Sequence, residues 1–167
     1  MPNKSLSRAT MQLPCSAVIL STKAEGKQGA MTATAMFVSQ IPPLIAVSIS
    51  KNFATYQLIE KSKEFAVNVI ADDQLELAEK FGIAHGYEIN KFRAYNIATE
   101  QADQIDAPLI SHCFVNMECR IKTSLWEVEG NHTIYIAEVI AFKINNDLKP
   151  LVWLNNKYYR VGVECRK

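Results

Sequence analysis

The 167-residue sequence predicts a mainly β fold, an antiparallel barrel that is closed or partly closed and carries only short helices. The first half of the chain alternates apolar, β-branched runs with turns, which is typical of short strands. From Val115 to Lys122, apolar and polar side chains alternate strictly, as in a strand with one face in water. A long apolar run follows the turn Glu129-Gly130-Asn131, so these two strands form a hairpin. Many strands with few helices favour an antiparallel barrel.

Turn-forming residues set the expected limits of the strands. Two glycines and several charged residues mark Lys23 to Gly29 as a turn, and Pro42 and Pro43 end the next run because proline cannot donate to a ladder. The apolar run after these prolines is expected to be a central strand. The predicted strands are Cys15 to Thr22, Ala30 to Ser39, Leu44 to Ser50, Glu64 to Ile70, Val115 to Lys122 and Thr133 to Lys143.

Helices are predicted at two places. Phe53 to Lys63 has apolar residues on one side, as a short packed helix requires. Another helix is expected to begin at Asp73, whose side chain would form a capping box with Glu76. The apolar side of this second helix comprises Leu77, Phe81 and Ala84. The polar segment Tyr87 to Asp106 is predicted to be irregular.

Composition excludes several classes of protein. Hydrophobic residues make up 49% of the chain, so one domain over residues 1–167 with a core at about 13–160 is expected. A net charge of +1 gives no field to hold nucleic acid, and no stretch approaches a membrane-spanning length. Pro14 to Ser16 interrupt the N-terminal apolar run, which argues against a signal peptide. Four cysteines without a disulfide-framework spacing then indicate a cytoplasmic protein.

Motifs for the common enzyme chemistries are absent from the sequence. There is no G-x-S-x-G nucleophile elbow, no P-loop and no G-x-G-x-x-G motif. The three histidines and four cysteines lack metal-ligand spacing, so no metal site is expected. A cofactor that supplies its own chemistry is therefore the favoured hypothesis.

Small and hydroxyl-bearing side chains cluster at the start of the second predicted strand. Slim residues let a flat ring or a phosphate approach backbone N–H groups, and threonine hydroxyls can donate to phosphate oxygens. A threonine-rich strand in any β protein has the same pattern, so both interpretations stay open. The candidates are Ala30, Met31, Thr32, Ala33 and Thr34.

A second cluster lies where the central strand ends and the first helix begins. A helix N-terminus presents unpaired N–H groups and a partial positive charge, which attract anions. Ordinary capping by Ser50 or Asn52 is the alternative interpretation. The candidates are Ser48, Ile49, Ser50, Lys51, Asn52 and Thr55.

Further candidate residues lie outside these two clusters, and their interpretation stays open. His132, just past a turn, is either a contact for a substrate or a reduced nicotinamide, or an exposed hairpin histidine. Lys91 and Phe92, together with Tyr87, could fold over a flat ligand. Alternatively, Phe92 anchors a loop in the core.

Taken together, these segments resemble the flavin reductase-like family over roughly residues 13 to 160. Their order and spacing carry the resemblance, since each segment is weak by itself. The matching segments are Val18 to Thr22, Ala30-Met31-Thr32, Pro42-Pro43-Leu44, Ala46 to Ser50, Thr55 with Leu58-Ile59, Glu64 to Val69, Leu75 to Ala78 with Phe81-Gly82, Lys91-Phe92, Ala107-Pro108, Glu118-Cys119-Arg120, Gly130 to Thr133 and Ala137 to Val139.

The resemblance implies an FMN-binding split β-barrel, antiparallel and of Greek-key type, that forms a homodimer with FMN near the interface. Ala30 to Thr34 would lie along the flavin, Ser48 to Thr55 would hold the ribityl chain and phosphate, and His132 would face the ligand side of the ring. Lys91 and Phe92 would lie nearby. The implied activity is flavin reduction by NADH or NADPH, which would bind transiently.

Two alternatives to a reductase stay open. One is a flavoredoxin-like electron carrier that docks a redox protein partner. The other is a barrel that binds a small ligand without redox chemistry.

The chain departs from the family pattern at four positions. Relatives often have Asn at Gly29 and Ser at Thr34, and many have Pro at Lys51 and Arg at Phe53. An arginine binds phosphate through two parallel hydrogen bonds, whereas a lysine supplies only a point charge. Any cationic phosphate contact from this segment therefore depends on Lys51.

Overall fold

Alternating side chains and turn residues produce a β-rich chain in the computed structural model, which describes residues 8–83, 89–125 and 130–165. The strands are β1 (Cys15–Ala24), β2 (Lys27–Ser39), β3 (Leu44–Ser50), β4 (Glu64–Val69), β5 (Thr99–Glu100), β6 (Leu109–Ile110), β7 (Val115–Leu125), β8 (His132–Ile144), β9 (Leu151–Leu154) and β10 (Lys157–Arg160). The helices are α1 (Ala54–Ser62), α2 (Leu75–Gly82) and α3 (Lys91–Ala94).

The long strands close into a barrel. β1, β2, β3, β8, β7 and β4 are hydrogen-bonded in that order, and β4 also pairs with β1. All these pairings are antiparallel, so the predicted antiparallel barrel is confirmed. One edge of β1 is divided, because Cys15 and Ser16 pair with β9 whereas Val18 to Ser21 pair with β4. The hairpin β9–β10 therefore extends the sheet beside the barrel.

Side chains that point into the barrel form its core. The largest cluster includes Val18, Leu20, Val47, Ile49, Phe65, Val67, Cys119 and Tyr135, together with Ile59 from α1. Burying each large apolar side chain contributes about 1.5–3 kcal/mol. A second cluster lies outside the barrel, where Phe81 of α2 packs with Ile19, Ala30, Phe92 and Ile110. This second cluster fixes α2 against β1 and β2.

The start of α2 differs from the prediction. Its N-cap residue is Gln74, and no side chain caps the helix. Asp73 instead pairs with His112, with 2.9 Å between Oδ2 and Nε2, and Glu76 pairs with Lys80 at 2.7 Å. The predicted capping box at Asp73 and Glu76 is therefore wrong, because a histidine from a distant part of the chain engages the aspartate.

Glu118 also departs from the strand pattern. Its inward neighbours, among them Cys119, lie in the core as predicted, but Glu118 itself is only 2% exposed. Its carboxylate accepts hydrogen bonds from the backbone N–H groups of Asp103 (2.9 Å) and Gln104 (2.6 Å). The segment that was expected to be irregular therefore covers the polar face of β7.

The predicted turn from Lys23 to Gly29 is shorter in the structure, because β1 runs to Ala24 and β2 begins at Lys27, with Lys23 paired to Gln28. In the second half of the chain, β7 runs to Leu125, β8 begins at His132, and the short strands β5, β6, β9 and β10 were not predicted. The predictions for Ala84, Tyr87 and Glu129 lie outside the described residues. Among the helices that are described, none has the length and apolarity to cross a membrane.

Candidate functional site

A pocket of about 240 Å³ lies on the outer face of the barrel, bordered by the hairpin β9–β10. Side chains alternate between the two faces of a strand, and Met31 and Ala33 contact the barrel core, so Thr32 and Thr34 point outward. The pocket is lined by Ala17, Met31, Thr32, Ala33, Thr34, Ser48, Ser50, Phe53, His132, Trp153 and Tyr158.

Strand register brings the two predicted hydroxyl-rich segments together in this pocket. Thr34 pairs with Ala17 across β2 and β1, and Ser50 pairs with His132 across β3 and β8. Because β2 also pairs with β3, residues far apart along the chain lie side by side. The predicted residues that line the pocket are Met31, Thr32, Ala33, Thr34, Ser48, Ser50 and His132.

The pocket contains hydroxyl groups that remain available to a ligand. Thr32 Oγ1 donates to the carbonyl oxygen of Ala78 at 2.7 Å, and Ser50 Oγ accepts from the N–H of Asn52 at 3.4 Å. The hydroxyls of Thr34 and Ser48 make no hydrogen bond within the part of the chain that the structure describes. Both can therefore donate to, or accept from, a bound molecule.

The N-terminus of α1 meets the same pocket. Phe53 is the N-cap residue, its side chain makes no capping hydrogen bond, and it lines the pocket. The backbone N–H of Lys51 donates to the carbonyl of Asn131 at 2.9 Å, which holds the end of β3 beside the start of β8. The first-turn N–H groups of α1 are therefore left without a side-chain partner, as an anion site requires.

Several predicted residues of the same segments do not line the pocket. Ile49 is fully buried in the barrel core, on the opposite face from Ser48 and Ser50. Ala30 is buried beneath α2, and Thr55 is buried against Gly29, whereas Lys51 and Asn52 are exposed. Contacts between these residues and a cofactor stay predictions.

Lys91 and Phe92 have structural contacts of their own. Lys91 Nζ donates to the carbonyl oxygens of Phe81 (2.9 Å) and Ile83 (2.8 Å), so it binds the C-terminal end of α2. Burial lowers the pKa of this ammonium group. The ring of Phe92 lies 5.7 Å from that of Phe81 in the outer cluster. Neither residue lines the pocket, and the alternative of a core anchor describes Phe92.

His132 stands at the rim of the pocket as the first residue of β8 and is exposed. Its Nδ1 lies 2.6 Å from Oδ1 of Asn131. Because an amide oxygen only accepts, Nδ1 carries a hydrogen, and Nε2 is the ring nitrogen that remains available to a ligand.

Four lining residues were not among the candidates: Ala17, Phe53, Trp153 and Tyr158. The two aromatic residues of β9 and β10 form one wall of the pocket. Asn155-Asn156 between two apolar runs is a hairpin signal that would have predicted these strands. Their position beside Ala17 follows only from the pairing of β9 with β1.

The described residues hold no group of three or more His, Cys, Asp or Glu side chains that could bind a metal ion. The pocket combines free hydroxyls, a helix N-terminus and aromatic side chains on the outer face of a small barrel. These features suit a flat ligand with a polar tail.

Comparison with known families identifies the family of the chain. The family described as flavin reductase like domain matches residues 10–162. The chain belongs to the flavin reductase-like family. The predicted family, the split-barrel fold and the assignment as a flavin-dependent oxidoreductase are confirmed.

Individual relatives are distant but cover nearly the whole chain. The FMN reductase (NADH) RutF of Pantoea ananatis is 24% identical over 142 residues, which cover 84% of this chain and 72% of that protein. The reductase component of 4-hydroxyphenylacetate 3-monooxygenase of Escherichia coli is 22% identical over 157 residues, covering 93% and 90%. The solved structure of the NADH:FAD oxidoreductase SgcE6 of Streptomyces globisporus has a TM-score of 0.87 at 23% identity, covering 98% and 96%.

Proposed function

We propose that this chain binds FMN in the pocket on the outer face of the barrel and reduces it with NADH or NADPH. The observation that carries the proposal is the convergence of the free hydroxyls of Thr34 and Ser48 with the N-terminus of α1 in one pocket. The name FMN reductase (NADH), which RutF carries, supports the same cofactor and donor. When bound, the flavin supplies the redox chemistry by accepting a hydride.

The residues of the pocket fit such a group. Ala17 leaves room for a flat ring, and neutral hydroxyls suit the polar edge of the ring and the ribityl chain. The phosphate would lie toward the N-terminus of α1, beside the exposed Lys51. A volume of about 240 Å³ is below the range of about 300–1,000 Å³ for ligand pockets, so part of the ligand would stay accessible.

His132 would act on the accessible side of the ligand. Its Nε2 makes no hydrogen bond within the described residues, so in a neutral ring it can accept a hydrogen bond from the carboxamide of a nicotinamide. We propose that His132 orients the nicotinamide and takes no proton in the reaction. No lining side chain needs to be a nucleophile or a general base.

Exposed apolar residues beside the pocket support a homodimer. Met36 lies on the same face of β2 as Thr34 and is 64% exposed. Ile136 lies on the same sheet face across β3, because Ala46 pairs with both Met36 and Ile136. Apolar surface next to a binding site is typical of an interface, so we propose that a second copy covers this face and encloses part of the flavin.

The relatives support a second kind of partner. The 4-hydroxyphenylacetate 3-monooxygenase relative and the 4-nitrophenol monooxygenase relative of Rhodococcus opacus are both named as reductase components. We propose that the reduced flavin leaves this chain for an oxygenase partner.

A cytoplasmic location and a single domain over residues 1–167 remain predictions. Cell fractionation tests the location, and limited proteolysis tests the single domain.

The decisive experiment is spectral. The purified protein, supplied with FMN, is mixed with NADH or NADPH without oxygen, and the flavin absorbance near 450 nm is followed. We expect bleaching over many turnovers with excess FMN. Binding without bleaching would instead support the electron carrier, and a protein that does not bind FMN would support the non-redox barrel.

Two variants separate the roles of the site residues. His132→Ala should lower turnover with NAD(P)H more than it lowers FMN affinity, and equal losses would mean that His132 holds the cofactor. Thr34→Val removes one free hydroxyl at nearly constant volume and should weaken FMN binding a few-fold. Thr99→Val, an exposed threonine of β5, is the matched control and should leave the affinity unchanged.

A further inference from the structure

The hairpin β9–β10 presents two aromatic rings to the pocket. Trp153 and Tyr158 are direct cross-strand partners, so both side chains lie on the same face of the hairpin. Trp153 also pairs with Cys15 of β1, which places the aromatic pair beside Ala17 on the same sheet face. Both rings line the pocket and form the wall opposite Ser50 and His132.

The hairpin is held in place before any ligand binds. Asn155 and Asn156 have φ values of 51° and 60°, as the tight turn of a two-residue hairpin requires. The N–H of Asn155 donates to the carbonyl of Met11 at 2.8 Å, and the N–H of Leu151 donates to the carbonyl of Ile70 at 2.9 Å. A wall fixed in this way loses little conformational freedom when a ligand stacks on it.

Packing within the protein leaves part of the Trp153 and Tyr158 side chains exposed. Both residues contact the outer cluster but remain partly exposed. Neither the Trp153 indole N–H nor the Tyr158 hydroxyl has a hydrogen-bond partner within the described residues. Burial, with a smaller effect from Glu79, raises the pKa of the Tyr158 hydroxyl, so this group stays a neutral donor at physiological pH.

We propose that the Trp153–Tyr158 pair is the surface on which the flavin ring stacks. The inference rests on the proposed function and specifies which wall of the pocket contacts the flavin ring. β9 and β3 are separated by β1 and β2, and β8 lies one strand beyond β3, so three to four strand spacings of about 4.8 Å separate Trp153 from Ser50 and His132. A ring against the aromatic pair leaves the His132 side for the nicotinamide.

The first test is the affinity for FMN, measured by quenching of the flavin's own fluorescence. Trp153→Leu and Tyr158→Leu should each weaken binding about tenfold, because each removes an aromatic surface. Trp153→Phe and Tyr158→Phe should stay within about threefold of the wild type. Tyr159→Leu is the matched control, since Tyr159 is the 45% exposed neighbour on the opposite face of β10, and it should have no effect.

A second measurement does not depend on how well the leucine variants fold. The chain has two tryptophans, so Trp126→Phe leaves Trp153 as the single tryptophan. Saturating FMN should slow the oxidation of Trp153 by N-bromosuccinimide, followed by peptide mass spectrometry, at least threefold, because a stacked ring shields the indole.

The two proposals fail differently. If the wild type does not bind FMN, the proposed function fails and the inference falls with it. If FMN binds, but the leucine variants bind as the wild type does or Trp153 is oxidised equally fast with and without FMN, the pair only packs the hairpin. In that case the function stands and the inference is overturned.

Discussion

Phe53→Arg is expected to make the flavin site select for a phosphate group. Phe53 lines the pocket as the N-cap residue of α1, at the end where the phosphate is proposed to lie. No lysine or arginine lines the pocket among the described residues. The wild-type site therefore offers mostly neutral donors, with the exposed Lys51 nearby.

The expected magnitude follows from the type of hydrogen bond. A hydrogen bond from a neutral N–H or hydroxyl donor to the charged phosphate contributes about 1.5–3 kcal/mol, and screening in an open pocket favours the lower end, so each such donor should raise the preference for FMN over riboflavin by about tenfold. A charge-assisted pair contributes about 1.5–3 kcal/mol, which corresponds to roughly 10- to 150-fold. Because the pocket is open to water, screening favours the lower end of that range. We expect Phe53→Arg to raise the FMN-to-riboflavin preference about tenfold.

The assay is a fluorescence titration of each variant with FMN and with riboflavin at low and at high salt. Phe53→Leu is the control, since it removes the ring without adding charge and should leave the preference unchanged. The added preference of Phe53→Arg should shrink at high salt. A Phe53→Arg variant with the same FMN-to-riboflavin preference as the wild type would refute the reasoning, because the phosphate would then not lie at the N-terminus of α1. Lys51→Gln would then test whether Lys51 holds the phosphate.

Three further predictions concern stability and thiol chemistry. Gly29→Ala should destabilise the fold by about 1–3 kcal/mol in urea unfolding, since its Cβ would lie 2.7 Å from Cδ1 of Leu58; a neutral effect would show that α1 can shift freely. Glu118→Ala should cost about 2–4 kcal/mol, because it leaves two buried backbone N–H groups unpaired, and an unchanged Tm would contradict this. Burial raises the pKa of Cys113 and of Cys119 to about 12, so thiol reagents should label these residues only after unfolding. Stability should therefore fall as the pH rises above 9.0, where unfolded thiols lose protons and folded ones do not; a flat profile for the wild type would count against this burial.

Local pattern was sufficient to predict most of the barrel. Period-two alternation and turn residues depend only on neighbours in the chain, so β1, β2, β3 and β4 were located closely. The same local chemistry singled out the hydroxyls near Thr34 and Ser50, because hydroxyl-bearing residues at strand and helix ends are visible without a fold. The hairpin β9–β10 carried a comparable signal at Asn155-Asn156.

Contacts between distant parts of the chain decided the rest. Lys91 binds the end of α2 instead of the pocket. Glu118 is buried by hydrogen bonds from Asp103 and Gln104, although its place in an alternating strand predicts an exposed side chain. Trp153 enters the pocket because β9 pairs with the start of β1 at the other end of the chain. By itself the sequence determined which strands and which polar groups exist. Only the tertiary structure decided which of them meet, because strand register joins residues that share no local pattern.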